Sequence, residues 1–374
     1  MSYLLKQYNT PLLEFEYIET IDNVKVEIVK NYNNDALLPL DCDPTDDSLY
    51  RWLKKRTIPA NRAYVQNFLA RNGLNEKDTK GILDICKGLS LNDSYWVVDS
   101  NFDGLFEDYN LYDNNFSRVL SYIAFTGYGS YVGTTFRSSP EFTTGGMLAK
   151  CWRRINGKVL LYKTGTEGFA NSGMEPYSEF YAHQIAEHLG LRNVAYSISR
   201  WHEKICSTCE LFTSKDISYI SAGRLIQGGG IEKVLEYYKE LGEKYYNDLV
   251  DMFVFDALIC NEDRHLGNFG FLIDNKTNTI IDTAPLFDHG LSLFCYGMED
   301  DIDNLDKYAA TRAPALYNSF DSFTKMIITD RQKKMLANMA DFHFAKHPRY
   351  NWSSRRLKKI EGFVKQKAVN LING

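Results

Sequence analysis

Asp263, Asn268 and Asp288 are residues whose types and spacing could do chemistry. Transfer of a phosphoryl group to a hydroxyl needs one carboxylate to orient the acceptor and an amide oxygen to hold a metal. A second carboxylate bridges that metal to the phosphates. Asp263 and Asn268 stand five residues apart in Asn261-Glu262-Asp263-Arg264-His265-Leu266-Gly267-Asn268, and Asp288 follows in Phe287-Asp288-His289-Gly290. That order and spacing, Asp-x-x-x-x-Asn and then Asp-x-Gly, are those of a phosphoryl-transfer site. Any one of the three alone would read as a helix cap or an Asx-turn.

The surrounding pattern supplies elements able to position them. Leu249 to Cys260 is apolar on more than one face and predicts a buried helix that ends at Asn261. Phe269 to Ile273 and Thr279 to Ile281 predict short strands around the turn Asp274-Asn275-Lys276-Thr277-Asn278. A hairpin of this kind carries Asn268 at one end and delivers Asp288 beyond the other.

A nucleotide site also needs a cation for the phosphates and an acid to hold that cation. Met147 to Lys163 predicts a β-hairpin turning at Asn156-Gly157, and Lys163 closes its second strand. Glu175 to Leu189 predicts a helix with Pro176 at its start and Gly190 as its stop, which places Glu179 in the first turns as the candidate partner of Lys163. Phosphates are commonly cradled by backbone N–H groups of a glycine turn. Thr143-Thr144-Gly145-Gly146, with Lys150 shortly after, fits that need by its position in the series, although it is neither a Gly-x-Gly-x-x-Gly nor a Walker loop. Glu210 to Phe212, after a strand running from Lys204, is the expected connection for an adenine ring.

Taken together these residues resemble the HipA-like protein kinases. The resemblance runs from about Ser139 to the C-terminus and rests on Met252-Phe253-Val254-Phe255-Asp256-Ala257-Leu258, the block at 261–268, Phe269-Gly270-Phe271-Leu272, Ala284-Pro285-Leu286-Phe287-Asp288 and the helix beginning Ser178-Glu179-Phe180. It implies an α+β, bilobal protein-kinase-like fold with an N-terminal accessory domain. The expected division is an accessory region over 1–135, a small lobe over 136–212 and a large lobe over 213–374. It further implies ATP and Mg2+ as cofactors and serine or threonine as acceptor. Asp263 would be the catalytic aspartate, Asn268 and Asp288 the magnesium ligands, Lys163 the phosphate-binding lysine, and Gly146-x-x-x-Lys150 the end of the phosphate loop. Members of the family often phosphorylate their own glycine-rich loop, which here offers Ser138, Ser139, Thr143 and Thr144. An antitoxin-like regulator is implied in the same way. The Asp-Arg-His-x-x-Asn block is also similar to the loop of phosphoinositide kinases, so a lipid or small-molecule kinase is a rival reading. A nucleotide-binding toxin or regulatory module with little turnover is another.

Composition narrows the setting. A chain of 374 residues that is 44% hydrophobic and 14% aromatic can fill the cores of a two-lobed catalytic unit and one small further domain. No run approaches the length of a transmembrane helix, and the start has no signal-peptide layout, so a cytoplasmic location without membrane insertion is expected. The seven scattered cysteines fit reduced thiols, and Cys206-Ser207-Thr208-Cys209 reads as a buried structural pair. Ala60 to Cys86 predicts helix broken at Asn72-Gly73; its mixed charge argues against a DNA-binding role, and no nucleic-acid partner is expected. Glu299-Asp300-Asp301-Ile302-Asp303-Asn304-Leu305-Asp306 sets five carboxylates just after Asp288, which suits a protein acceptor with basic flanks and would repel a polyanionic lipid headgroup. Arg331 to Ala340 and Ser353 to Ile372 predict amphipathic helices, the second with Arg355-Arg356-Leu357-Lys358-Lys359 as a solvated face.

Overall fold

The computed structural model describes residues 1–19, 24–129, 139–169 and 171–374, with Glu19 by its backbone alone. In chain order its elements are β1 (Ser2–Gln7), β2 (Thr10–Glu19), β3 (Val24–Asn31), α1 (Asp46–Lys54), α2 (Val65–Ala70), α3 (Thr79–Cys86), β4 (Tyr95–Asp99), α4 (Phe106–Tyr109), α5 (Arg118–Thr126), β5 (Lys150–Ile155) and β6 (Lys158–Thr164). There follow α6 (Glu175–His188), β7 (Tyr196–Trp201), β8 (Lys204–Glu210), β9 (Ile217–Ser221), α7 (Ala222–Leu225), α8 (Gly230–Leu241), α9 (Glu243–Ile259), β10 (Gly270–Asp274) and β11 (Thr279–Thr283). The C-terminal stretch is helical, with α10 (Glu299–Asp303), α11 (Leu305–Ala309), α12 (Phe320–Ile327), α13 (Asp330–Ala337) and α14 (Ser354–Asn373). The chain is thus of mixed α+β class.

These elements form two compact units. The first is Met1–Tyr162 with Leu211–Ile220 and Leu272–Ile281; the second is Lys163–Glu210, Ser221–Phe271 and Asp282–Gly374. In the first, an antiparallel sheet of order β3-β2-β1-β4 pairs Tyr3 with Phe15 and Leu5 with Leu13. Alternate residues of β1 are buried, as a sheet with one covered face requires. Leu5, Leu13 and Phe15 meet Trp52, Phe68, Ile82 and Ile123 in one core. The later segments are fastened to this unit by polar bonds: Gln7 Nε2 donates to Asn275 O at 3.0 Å, and Asn278 Nδ2 donates to Ala36 O at 3.0 Å and Leu38 O at 2.6 Å.

The local signals explain the elements that matter for the site. Asn156 and Gly157 both have positive φ, +50° and +79°, the requirement of a two-residue type I′ hairpin turn between β5 and β6. Asp274 Oδ1 accepts from Lys276 N at 2.8 Å and Thr277 N at 3.0 Å, an Asx-turn between β10 and β11. In the second unit α6 has Pro176 in its first turn, and α9 is buried at every position from Leu249 to Ile259. Their apolar residues, with Leu293, Ile360 and Val364, make the second core.

One expectation is corrected. Ala60 to Cys86 is not helical throughout: α2 begins only at Val65, after Tyr64 in a left-handed conformation, and α3 only at Thr79. The residues before Val65 turn Arg62 inward, where it donates to Glu141 O at 3.3 Å and Thr144 O at 3.1 Å and bonds Lys150 O, so tertiary bonding overrides local propensity. The basic run of α14 is a solvated face as expected, with Arg355, Lys358 and Lys359 exposed. Arg355 pairs with Asp303 and, at 3.9 Å, with Glu299, Lys359 lies 3.8 Å from Asp303, and Arg356 Nη1 donates to Gly297 O at 2.9 Å. All seven cysteines are buried, Cys206 and Cys209 included. Among the described residues no helix is long and apolar enough to cross a membrane.

Candidate active site

The centre of the site is a buried ion pair on α9. Asp256 is fully buried among the apolar residues Met252 to Ile259 of α9, and a carboxylate there needs a charged partner. Arg264 provides it in a two-point contact: Nε donates to Asp256 Oδ2 at 2.9 Å and Nη2 to Oδ1 at 3.0 Å. Asn261 Nδ2 donates to the same Oδ1 at 2.9 Å. The rest of the guanidinium reaches outward, with Nη1 donating to Asn268 O at 2.8 Å and Phe287 O at 2.7 Å and Nη2 lying 3.2 Å from His289 Nδ1. One side chain therefore ties α9 to both candidate loops.

Around that tie the loops are held by short polar bonds. Cys260 ends α9 in a left-handed conformation, which turns the chain into Asn261. Asp263 N donates to Asn261 Oδ1 at 3.3 Å, and Asn268 Nδ2 donates to Asp263 O at 3.0 Å. The second bond commits the amide nitrogen of Asn268 and leaves its Oδ1 as the atom suited to a cation. Asp288 has a left-handed backbone, φ +57°, and its N–H donates to Tyr196 Oη at 3.0 Å. Left-handed non-glycine residues are sparse and gather at functional sites.

Lys163, on β6, brings the remaining carboxylates together. Its Nζ pairs with Glu179 on α6, as expected from the sequence, and also with Asp288 Oδ1 at 2.7 Å. Glu179 is fully buried and accepts from Ser207 Oγ as well. Burial works to lower the Lys163 pKa, but the charges of Asp288 and Glu179 outweigh it and leave the ammonium raised and protonated. Burial raises the Glu179 carboxyl against the opposing charge of Lys163. Asp263 is raised too, first by burial and then by the charge of Asp288, with His265, Lys163 and Arg264 opposing. Asp263, Asp288 and Lys163 therefore feel one another electrostatically.

Asn268 and Asp288 are hard oxygen donors suited to Mg2+, which keeps several waters and is typically bound by one or two carboxylates with substrate phosphates. Among the described residues no group of three or more His, Cys, Asp and Glu could cage a metal, and a site of this kind does not call for one.

The other expected site residues lie as follows. Gly145, Gly146 and Lys150 are in the first unit, where Gly146 has φ +86° and a Cβ on it would collide with Lys150 Nζ. Glu210 ends β8 in the second unit with its side chain exposed. Phe212 is in the first unit, edge-on to Tyr219 with ring centroids 5.6 Å apart. Of the hydroxyls expected to accept phosphate, Ser138 lies outside the described residues. Ser139 is buried on Glu141, Thr143 Oγ1 donates to Leu89 O at 2.7 Å, and Thr144 Oγ1 donates to Pro140 O at 2.7 Å. Sequence reasoning missed Arg264, Asp256, Tyr196 and Ser207 as supports. A signal existed for one pair, an acid deep in the apolar run 249–260, Asp256, followed by an arginine eight residues on.

Comparison with known proteins follows the same line. A chain of the Shewanella oneidensis MR-1 toxin–antitoxin complex of HipA, HipB and operator DNA has the same α+β fold over nearly the whole length, with a TM-score of 0.53, 10% identity, and 98% of this chain and 97% of that one covered. In sequence, the chain is 28% identical over 191 residues to the serine/threonine-protein kinase CtkA of Helicobacter pylori, 44% of this chain and 54% of that protein. The chain thus spans about half the length of that curated relative. The crystal structure of CtkA aligns with a TM-score of 0.45 at 19% identity over 60% of this chain and 91% of that one. No protein-family model matches. The resemblance to the HipA-like, CtkA-type kinases read from the motifs is borne out.

Proposed function

We propose that this chain is an ATP- and Mg2+-dependent serine/threonine protein kinase of the HipA-like kind. The observation that carries the reading is Lys163 paired with Glu179 beside Asp288, because a phosphate-binding lysine of a kinase needs such a glutamate partner. In this reading Lys163 binds the α- and β-phosphates, Glu179 fixes its amine, and Asn268 and Asp288 hold Mg2+. Asp263 orients the acceptor hydroxyl and takes up its proton. Gly145, Gly146 and Lys150 form the end of the phosphate loop, and Glu210 to Phe212 receive the adenine. Bound Mg2+ supplies charge neutralisation at the transferring phosphate.

The acceptor we favour is a serine or threonine with basic flanks. Asp303 is already paired with Arg355 and Lys359 and Glu299 with Arg355, whereas Asp300 and Asp306 stay exposed beside the site's second carboxylate loop in sequence. An antitoxin-like regulator remains part of the proposal on the strength of the HipA likeness. Modification of the chain's own loop is expected as well. A phosphate on Ser139 would stand beside the buried Glu141, so it would force that segment out of its present bonds. Incubation with ATP and magnesium should add phosphate to the intact protein and to a basic serine peptide. If neither gains mass, the kinase reading is wrong.

A pH dependence follows from Asp263. Its pKa is raised above the ordinary 3.8 by burial and by Asp288, and only the carboxylate form can take the acceptor's proton. kcat/KM should therefore fall on acidification through a pKa above the ordinary aspartate value, while the rate is full well above it. A profile flat down to about pH 4 would contradict this role.

A further inference from the structure

The residue before Asp263 is an acid, and its charge is answered from the segment that follows the Asp288 turn. Glu262 Oε2 lies 3.4 Å from Nη1 of Arg312, and Glu262 N donates to Leu291 O at 2.9 Å. Arg312 is fixed from its other side as well. Its guanidinium lies over the Tyr308 ring at 4.7 Å, and Nε donates at 3.1 Å to Thr311 Oγ1, which itself donates to Tyr308 O at 2.7 Å. The end of α11 is thereby joined to the loop one residue from Asp263.

Ion pairs as exposed as this one, 29% and 34% at the two side chains, contribute little to stability. Placement gives this one its significance. In many kinases the segment after the metal-binding aspartate is ordered only when a phosphate on it meets arginines. Here the signs are reversed: the loop supplies a carboxylate and the segment supplies the arginine, and both are encoded in the chain. Burial raises the Glu262 carboxyl while Arg312 opposes that rise, as expected of an acid withdrawn from water against a cation.

Resting on the kinase reading above, we propose that Glu262 and Arg312 form a built-in latch that holds the stretch Asp306–Arg312 against the loop of Asp263 without phosphorylation of that stretch. Both are positioning residues, since neither is required to touch the reacting atoms. The alternative is an incidental surface pair.

A charge swap separates the two. Glu262→Arg and Arg312→Glu should each lower kcat by roughly ten- to a hundredfold, the scale of a misplaced reacting group, with KM for ATP little changed. The double swap should return kcat to within about threefold of the unmodified protein, since the two charges act as a coupled pair. Mass spectrometry of the active, unmodified protein should find no phosphate on Tyr308 or Thr311, the hydroxyl side chains of that stretch. Amide hydrogen exchange without ATP supplies a readout independent of turnover: protection over 306–312 should fall in each single variant and recover in the swap. Single variants with full rates and full protection, a swap no better than the worse single variant, or a rate that requires phosphate on Tyr308 or Thr311 would overturn the latch. Absence of phosphoryl transfer by the unmodified protein would instead remove the kinase reading, while exchange would still decide whether the pair holds the segment.

Discussion

Asp263→Ala is expected to lower kcat by about 10²–10⁴-fold, the usual contribution of a positioned general base. The side chain is half-buried and makes no contribution to either apolar core, so the melting temperature should change little. The hydrogen bond from Asn268 goes to the Asp263 carbonyl, which alanine retains, so the loop keeps its shape. Magnesium-dependent nucleotide binding should therefore survive. Asp288→Ala should behave differently, because it removes an oxygen donor and also the carboxylate 2.7 Å from Lys163 Nζ. Loss of transfer there should be accompanied by weaker magnesium-dependent binding of ATP, measured by calorimetry. A folded Asp263→Ala protein that turns over at the unmodified rate would remove Asp263 from the mechanism.

The largest effect on stability is expected at Arg264, not at a residue that meets substrate. Arg264→Ala leaves Asp256 charged and fully buried and deprives the carbonyls of Asn268 and Phe287 of a donor. Removing one partner of a buried ion pair costs about 3–5 kcal/mol. The double variant Asp256→Ala/Arg264→Ala should lose clearly less than the sum of the single losses, because most of each single cost is the stranded partner charge. Denaturant unfolding measures all three. A loss below about 1 kcal/mol for Arg264→Ala would mean that the pair is replaced by solvent rather than stranded.

Much of this arrangement was legible in local patterns. The β5–β6 hairpin announced itself through Asn156-Gly157, since few other pairs accept positive φ at both positions. Helices α6, α9 and α14 follow from apolar spacing with Pro176 and Ser353 as start signals. The pairing of Lys163 with Glu179 was readable from element order, whereas its second bond to Asp288 joins residues 125 apart and leaves no periodic trace. The same holds for Gln7 on Asn275, which fastens a late hairpin to the first strand, and for Arg62 on the backbone of 141–150. Polar contacts between remote segments have no sequence period, so pattern reading finds their participants without their partners.

The left-handed backbone at Asp288 limits how this position can change over evolutionary time. A Cβ-branched or bulky residue pays for that conformation before any chemistry is considered, whereas Asn and Gly adopt it readily. Descendants of this chain that abandoned phosphoryl transfer would therefore be steered toward Asn or Gly at 288, and a loss of activity could be fixed there by a single-residue change that leaves the fold untouched.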